Sequence, residues 1–173
     1  MNTQIAFLPK KIINWDKLKI LEMFYSPNLK SIDSLVYLPS IELIDLSVSQ
    51  IKSLPRGCID WGNIRTLKLI NTPKLESVEH LINLTSLQRI NLHGSSLERL
   101  PEILSFVNNE KSDGIKNTQI QIAPYSSLLY LSLSKSSITN YNDILMHSKN
   151  LRTLAFSFMK IESIPEVIFK LDN

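Results

Sequence analysis

The sequence is poor in the features that mark secreted, membrane-spanning or disulfide-rich proteins. Its 173 residues include one cysteine, Cys58, which excludes an internal disulfide framework and favours a reducing, cytoplasmic compartment. No apolar run approaches the roughly 18 residues that a membrane helix needs. The short apolar run from Ile5 to Leu8 precedes Lys10 and Lys11 instead of following them, which is the wrong order for a secretory signal. We therefore expect a cytoplasmic protein that does not contact a membrane.

An excess of one charge is also missing. The chain has 19 basic and 16 acidic side chains, which give a formal net charge of +3. Domains that bind nucleic acids usually concentrate much more positive charge. The composition therefore argues against a nucleic-acid partner, while 43% hydrophobic residues are enough for the core of a single domain.

Motifs for catalysis, metal binding and phosphate binding are absent from the sequence. The three histidines, His80, His93 and His147, lie apart from one another and from the cysteine, without the spacing of a metal-binding motif. The four glycines are scattered and form no phosphate-binding loop. Glu42 and Asp45 are interpreted as solvated strand positions rather than as an acid–base pair. We expect no enzymatic activity, no metal and no cofactor.

A repeated pattern of apolar residues is the strongest signal that the chain does contain. The pattern L-x-x-L-x-L, with any apolar residue allowed in each slot, occurs six times. Its first slots are Leu18, Ile41, Ile64, Leu87, Leu128 and Leu151. Successive first slots are 23, 23, 23, 41 and 23 residues apart. Four identical spacings with every slot apolar are not expected by chance, so the chain is built from repeats.

A polar position follows this pattern in nearly every repeat. The residues three positions after the last apolar slot are Ser26, Ser49, Thr72, Ser95, Ser136 and Met159. With this position, each block resembles the leucine-rich repeat family, and the resemblance covers nearly the whole chain. The family usually has asparagine there, or cysteine, threonine or serine, and its side chain hydrogen-bonds the backbone of the turn. The resemblance implies that serine and threonine make part of this bond, and that the turn at Met159 is held by packing alone.

The second half of the repeat alternates between two lengths. Blocks that begin at residues 41, 87 and 151 end in Leu54-Pro55, Leu100-Pro101 and Ile164-Pro165. Blocks at residues 18 and 64 carry one more residue before their apolar pair. Together with the phrase NLTSLQRINLHGSSLERLPEIL, this alternation resembles the repeats of plant intracellular immune receptors. It is also similar to leucine-rich effector proteins of intracellular bacteria.

Each repeat predicts a short strand, a turn, and an outer loop or single-turn helix. Parallel strands of one sheet are expected near residues 19–23, 42–46, 65–69, 88–92, 129–133 and 152–156. Strands in a sheet lie ~4.8 Å apart and the outer segments need more room, so the predicted fold is an α/β leucine-rich-repeat solenoid with the sheet on its concave face. Residues 1–173 are expected to form one domain of about seven repeats, counting a partial first one. The alternative is an ordinary α/β sandwich with fortuitous periodicity.

The spacing of 41 residues indicates an insertion. It exceeds the repeat length by 18 residues and lies within residues 107–127, where residues 108–119 are almost wholly polar. We expect a mobile loop on the outer or edge side of the solenoid, anchored again by Ile120, Ile122 and Tyr125. Two roles stay open: an insertion without function, and a loop that contacts a partner.

Both ends of the sequence are in register with the repeat. Thr3, Ile5, Leu8 and Pro9 match the back half of a repeat, and a further repeat would begin at residue 174. Solenoids need polar caps to shield their end repeats, and neither end has the composition of a cap. We therefore expect either a segment of a longer protein or half-repeats that act as lids. Self-association through an uncapped end is a further expectation.

The outward-facing strand positions are the candidate partner-binding site. Side chains alternate between the two faces of a sheet, so the x positions of the pattern are expected on the concave face. Exposed aromatic and arginine side chains are typical of protein interfaces. The predicted site consists of Glu22, Phe24, Tyr25, Asp45, Arg65, Lys68, Arg89, Asn91, His93 and Tyr130. Arg65, Lys68 and Arg89 are expected to form a ladder of positive charges without core duties, although an ordinary mixed-charge surface is the alternative for any single residue.

These features favour a non-enzymatic module that binds a protein partner on its concave face, as a recognition or scaffold domain. The alternative is a regulatory or autoinhibitory segment of a larger multidomain receptor, effector or enzyme. Sensing of a small ligand or of nucleic acid is disfavoured by the weak net charge.

Overall fold

A computed structural model describes residues 4–9, 15–56, 61–101 and 125–170. Within these residues, six strands form one parallel sheet in which the spatial order of the strands follows the chain. The strands are β1 (Ile20–Glu22), β2 (Leu43–Asp45), β3 (Thr66–Lys68), β4 (Arg89–Asn91), β5 (Tyr130–Ser132) and β6 (Thr153–Ala155). The chain is therefore a leucine-rich-repeat solenoid, as the spacing predicts, and the α/β sandwich alternative is wrong.

Each strand covers the central three residues of the five that the sequence predicts. Hydrogen bonding between repeats nevertheless continues past the strand ends, since the Met23 amide donates to the Asp45 carbonyl at 2.8 Å and the Tyr25 amide donates to the Ser47 carbonyl at 3.0 Å. The predicted strands are thus correct in position and one residue too long at each end. In each repeat but the last, the backbone hydrogen bonds to the next repeat extend beyond the three residues of the strand.

The register of the sheet aligns equivalent residues of successive repeats. Leu21 pairs with Ile44, Leu67 with Ile90, and so on along the sheet. The pair Ile90 and Leu131 keeps the same register although 41 residues separate them. β4 and β5 are therefore direct neighbours in the sheet although the insertion separates them in the sequence. Residues 102–124, which hold the predicted loop at 108–119 as well as Ile120 and Ile122, lie outside the described residues, and so does Cys58.

The apolar slots of the repeats form one continuous core. The first and second slots of the four central repeats are at most 2% exposed, and burial of a leucine or isoleucine side chain stabilises a fold by about 1.5–3 kcal/mol. A turn before each strand positions the first slot, because its amide donates to the carbonyl three residues earlier in all six repeats. Leu18 bonds Trp15 at 3.0 Å, and Leu151 bonds Ser148 at 3.0 Å.

Two aromatic residues with polar atoms are fully buried beside these turns. The Trp61 indole N–H donates to the Leu35 carbonyl at 2.8 Å, and the Tyr125 hydroxyl donates to the Pro101 carbonyl at 3.2 Å. Burial raises the pKa of the Tyr125 phenol well above its usual range, so the phenol keeps the proton that it donates. Tyr125 packs into the core, as the sequence predicts.

The outer side of the solenoid holds short helices and turns. Two 3-10 helices, η1 (Glu79–Asn83) and η2 (Glu166–Lys170), flank the seven-residue helix α1 (Tyr141–His147) in the chain. The helix α1 buries Ile144 and Leu145 and packs against η2. At seven residues it is longer than the predicted single turn.

The polar position after each strand behaves partly as the family resemblance implies. The hydroxyls of Ser26, Thr72 and Ser136 each donate to the carbonyl three residues earlier, at 2.7, 2.8 and 2.5 Å. Those of Ser49 and Ser95 are buried without a hydrogen-bond partner in the described structure. Met159 instead packs against the core, so packing replaces a side-chain bond in the last turn.

An amide side chain joins the repeats on either side of the insertion. Asn140 is 9% exposed; its Oδ1 accepts from the Leu100 amide at 2.9 Å, and its Nδ2 donates to the Leu100 carbonyl at 2.8 Å. The Thr139 amide donates to the Glu98 carbonyl at 3.0 Å. These bonds hold the fourth and fifth repeats together independently of the sheet.

In the described part of the chain, no helix has the length and apolar character needed to cross a membrane.

Candidate partner-binding surface

The strands present two columns of side chains outward, on what we call the concave face. The first column contains Ile20, Leu43, Thr66, Arg89, Tyr130 and Thr153, and the second contains Glu22, Asp45, Lys68, Asn91, Ser132 and Ala155. Members of a column belong to paired strands and are therefore ~4.8 Å apart. Because the register is regular, the composition of each column can be compared repeat by repeat along one surface.

The first repeat exposes an aromatic patch, which consists of Ile20, Phe24 and Tyr25. Their exposed fractions are 57%, 55% and 44%, and the ring centroids of Phe24 and Tyr25 lie 6.1 Å apart with an interplanar angle of 50°. Aromatic side chains carry much of the binding energy of protein interfaces. The aromatic patch therefore has the chemistry of an anchor site.

A left-handed backbone conformation places Tyr25 at the edge of the concave face. The equivalent residue of every repeat has a positive φ: Tyr25, Val48, Asn71, Gly94, Lys135 and Phe158, with values from 51° to 66°. Glycine and asparagine tolerate this conformation, whereas a β-branched residue such as Val48 is strained in it. The conformation turns the chain away from the sheet after each strand, so this column forms the rim of the concave face.

The prediction that Asp45 is a solvated strand position is wrong. It is 7% exposed; its Oδ1 accepts from the Ser47 amide at 3.0 Å, and its Oδ2 lies 3.3 Å from the Lys68 Nζ. Asn91 acts similarly, because its Oδ1 accepts from the His93 amide at 3.1 Å. Both side chains thus hold the backbone of the turn after the strand, since Asp and Asn favour such local bonds.

The charges of the concave face are only partly neutralised within the protein. Lys19 Nζ lies 3.1 Å from Glu42 Oε1, and Lys68 is paired with Asp45 as described. Arg65 and Arg89 are exposed, and neither has a carboxylate within 4.0 Å in the described part of the chain. The expected ladder of three positive charges is therefore wrong in one member, because the charge of Lys68 is already matched by Asp45.

The remaining predicted residues lie around these arginines. The Arg89 Cζ lies 5.8 Å from the centroid of the Tyr130 ring, within the range of a cation–π contact. Arg65 directly precedes β3 and so lies at the entry edge of the concave face. His93 and Tyr130 are half-buried, while Glu22 is exposed beside the aromatic patch.

The C-terminal end of the concave face has a different composition. After Tyr130, its outward columns hold only the small residues Ser132, Thr153 and Ala155. The rim carries Phe158, which is 83% exposed with the Lys135 Nζ 5.3 Å from its ring centroid. Phe158 is not among the predicted site residues, although its sequence position in the same column as Tyr25 indicates an exposed aromatic residue. No cluster of three or more potential metal ligands occurs in the described residues.

Two solved structures share the architecture of this chain. A leucine-rich-repeat protein from Leptospira interrogans matches with a TM-score of 0.65 and 18% sequence identity, over 96% of this chain and 44% of that one. An internalin from Listeria monocytogenes matches with a TM-score of 0.56 and 16% identity, over 90% of this chain and 46% of that one. The chain thus has the leucine-rich-repeat fold and spans less than half the length of either structure. No protein-family model and no curated protein matches the sequence.

Proposed function

We propose that the chain is a non-enzymatic interaction module whose concave face binds a protein partner. One observation carries this proposal. The strands bury an unbroken column of apolar residues on one side. On the other side, the strands and the residues next to them expose aromatic rings and two arginines that have no ion-pair partner within the described part of the chain. The fold is specified by the buried apolar residues, so folding does not depend on those exposed side chains.

The energetics of the aromatic patch support binding. Apolar surface removed from water contributes about 25 cal/mol per Å², and Ile20, Phe24 and Tyr25 are each at least 44% exposed. They lie on or directly after β1, whose backbone is fixed by hydrogen bonds to β2. Because a fixed scaffold loses little conformational entropy on binding, it retains more of the contact energy.

The test compares the aromatic patch with an aromatic residue elsewhere on the surface. A partner obtained by crosslinking is titrated against Phe24→Ala, Tyr25→Ala and the control Tyr37→Ala, whose side chain is 52% exposed outside the strand columns. We expect each patch variant to raise the dissociation rate about tenfold, as for an interface residue worth ~1.4 kcal/mol. The control should leave the rate unchanged. Equal effects of Tyr25→Ala and Tyr37→Ala would refute the proposal.

A second candidate places the partner in the same polypeptide. Because the chain spans less than half of the two solved structures, the concave face is also a suitable regulatory or autoinhibitory surface for a neighbouring domain of a larger protein. The two candidates differ in binding by the isolated 173-residue chain. A partner on another polypeptide binds this chain at full affinity, whereas a covalently linked domain competes for the face and lowers the apparent affinity of the longer protein.

A further inference from the structure

The concave face contains two sites of different chemistry. The aromatic patch lies at β1, and the exposed guanidinium groups of Arg65 and Arg89 lie at β3 and β4. Asp45 on β2 and Lys68 on β3 form a pair 3.3 Å apart and so add little net charge. An apolar site and a cationic site therefore lie at different strands of the same sheet.

The cationic site has the features of a carboxylate receptor. Arginine presents a planar set of donors that matches a carboxylate in a bidentate arrangement. The Arg89 guanidinium lies over the Tyr130 ring, which restricts its movement while leaving donors at its edge. Arg65 is one residue before Thr66, the Cα partner of Arg89, so the two guanidinium groups originate on adjacent strands.

The distance between the two sites sets the length of the segment that could span them. Strands ~4.8 Å apart place β3 and β4 about 10–14 Å from β1 across the sheet. An extended chain advances ~3.3 Å per residue. Three to four residues therefore separate a side chain over Ile20, the member of the aromatic patch that shares a column with Arg89, from one beside the arginines.

We propose that the concave face binds an extended acidic segment of a protein partner. An apolar or aromatic side chain of the segment packs on the aromatic patch, and an aspartate or glutamate three to four residues away pairs with Arg65 and Arg89. Glu22 is exposed next to the patch, so acidic residues are disfavoured there and the carboxylate must lie at the arginine end. This inference rests on the proposed function and specifies its partner.

The test uses synthetic peptides as probes and amide shifts in two-dimensional NMR spectra as the readout. The first peptide has phenylalanine followed four residues later by two consecutive aspartates, and the second has asparagines in place of the aspartates. A third has the aspartates directly after the phenylalanine. We expect only the first peptide to shift the backbone amide signals of residues 22–25 and also those of Arg89 and Tyr130. It should bind about fivefold more tightly than the asparagine peptide, as two exposed ion pairs allow.

Matched variants assign the effect to the arginines. Arg65→Gln with Arg89→Gln should abolish the preference for aspartate over asparagine. The control Arg56→Gln with Lys74→Gln removes the same two charges from exposed positions outside the concave columns and should preserve that preference. Added salt should weaken binding of the aspartate peptide more than that of the asparagine peptide.

The outcomes separate this inference from the proposed function. Equal binding of the aspartate and asparagine peptides, or an unchanged preference in the arginine variant, would overturn the acidic-segment proposal. If Phe24→Ala still weakens binding of the whole partner in that case, the concave face remains the binding site. Tighter binding of a single-stranded oligonucleotide than of the acidic peptide would overturn the inference in favour of a nucleic-acid ligand. Absence of shifts with every peptide would also overturn it.

Discussion

Leu67 and its neighbours Thr66 and Lys68 belong to the same strand, but Leu67 faces the core whereas Thr66 and Lys68 face outward. The column of Leu67 contains leucine or isoleucine in all six strands, and four of its members are completely buried. The outward column of Lys68 contains two acids, a base, an amide and two small residues in the same six strands. The inward face repeats one type of residue, whereas the residue type on the outward face varies along the sheet.

This difference separates the requirements of folding from those of recognition. A single repeat cannot bury its apolar residues alone, so each inward slot must fit the slots before and after it. An exposed outward side chain has no such constraint unless it bonds the backbone, as Asp45 does. Asp45 is therefore an outward residue that also contributes to folding. At this position the roles in folding and in recognition are not separate.

The largest predicted effect contrasts the two faces within β3. Leu67→Ala should lower the free energy of unfolding by about 2–5 kcal/mol, because it leaves a cavity at a completely buried site. Thr66→Ala, at the adjacent outward position, should lower it by less than about 0.5 kcal/mol. Urea denaturation monitored by circular dichroism measures both. Similar losses would show that the outward column is also part of the core.

The next effect concerns the amide that joins the fourth and fifth repeats. Asn140→Ala leaves the buried amide and carbonyl of Leu100 without their partner, and we expect a loss of about 2–3 kcal/mol. The control is Asn150→Ala, which removes an exposed amide with one bond, to the Ser126 carbonyl at 2.7 Å, and should cost less than about 1 kcal/mol. Equal unfolding midpoints for the two variants would contradict a special role for Asn140.

A smaller effect tests the left-handed rim of the concave face. Val48 has a φ of 57° and Asn71 has a φ of 51° at equivalent positions. Val48→Asn should stabilise the fold by about 1 kcal/mol, and Asn71→Val should destabilise it by a similar amount, because asparagine tolerates this conformation better. Thermal unfolding of the two variants compares them directly. A loss of stability in Val48→Asn would mean that packing by the valine outweighs its backbone strain.

The sequence predicts the features that depend on spacing and misses those that depend on side-chain conformation. The strand positions and the exposure of Phe24 and Tyr25 follow from the repeat alone, because register decides which face a residue occupies. The pairing of Lys68 with Asp45 does not follow, since it depends on the conformations of two flexible side chains. The burial of Asp45 was nevertheless detectable, because an aspartate two residues before a turn amide often accepts its hydrogen bond.

Contacts between distant residues were the least predictable. Asn140 bonds Leu100 from 40 residues away, and Arg89 lies over Tyr130 from 41 residues away. Asn140 and Leu100 share no motif. Arg89 and Tyr130 occupy the same slot of successive repeats, but they meet only because the register of β4 and β5 is preserved across the insertion. Such contacts require the sheet to be in place before they can be recognised.

The most direct test of the account measures binding and stability in one variant, Arg65→Glu with Arg89→Glu. Both side chains are exposed and have no ion-pair partner in the described residues, so the free energy of unfolding should change by no more than about 0.5 kcal/mol per site. Association with the protein partner should slow at least about tenfold and become less sensitive to salt. Unchanged association, or a loss of stability as large as that of Leu67→Ala, would contradict the claim that the concave face serves recognition rather than folding.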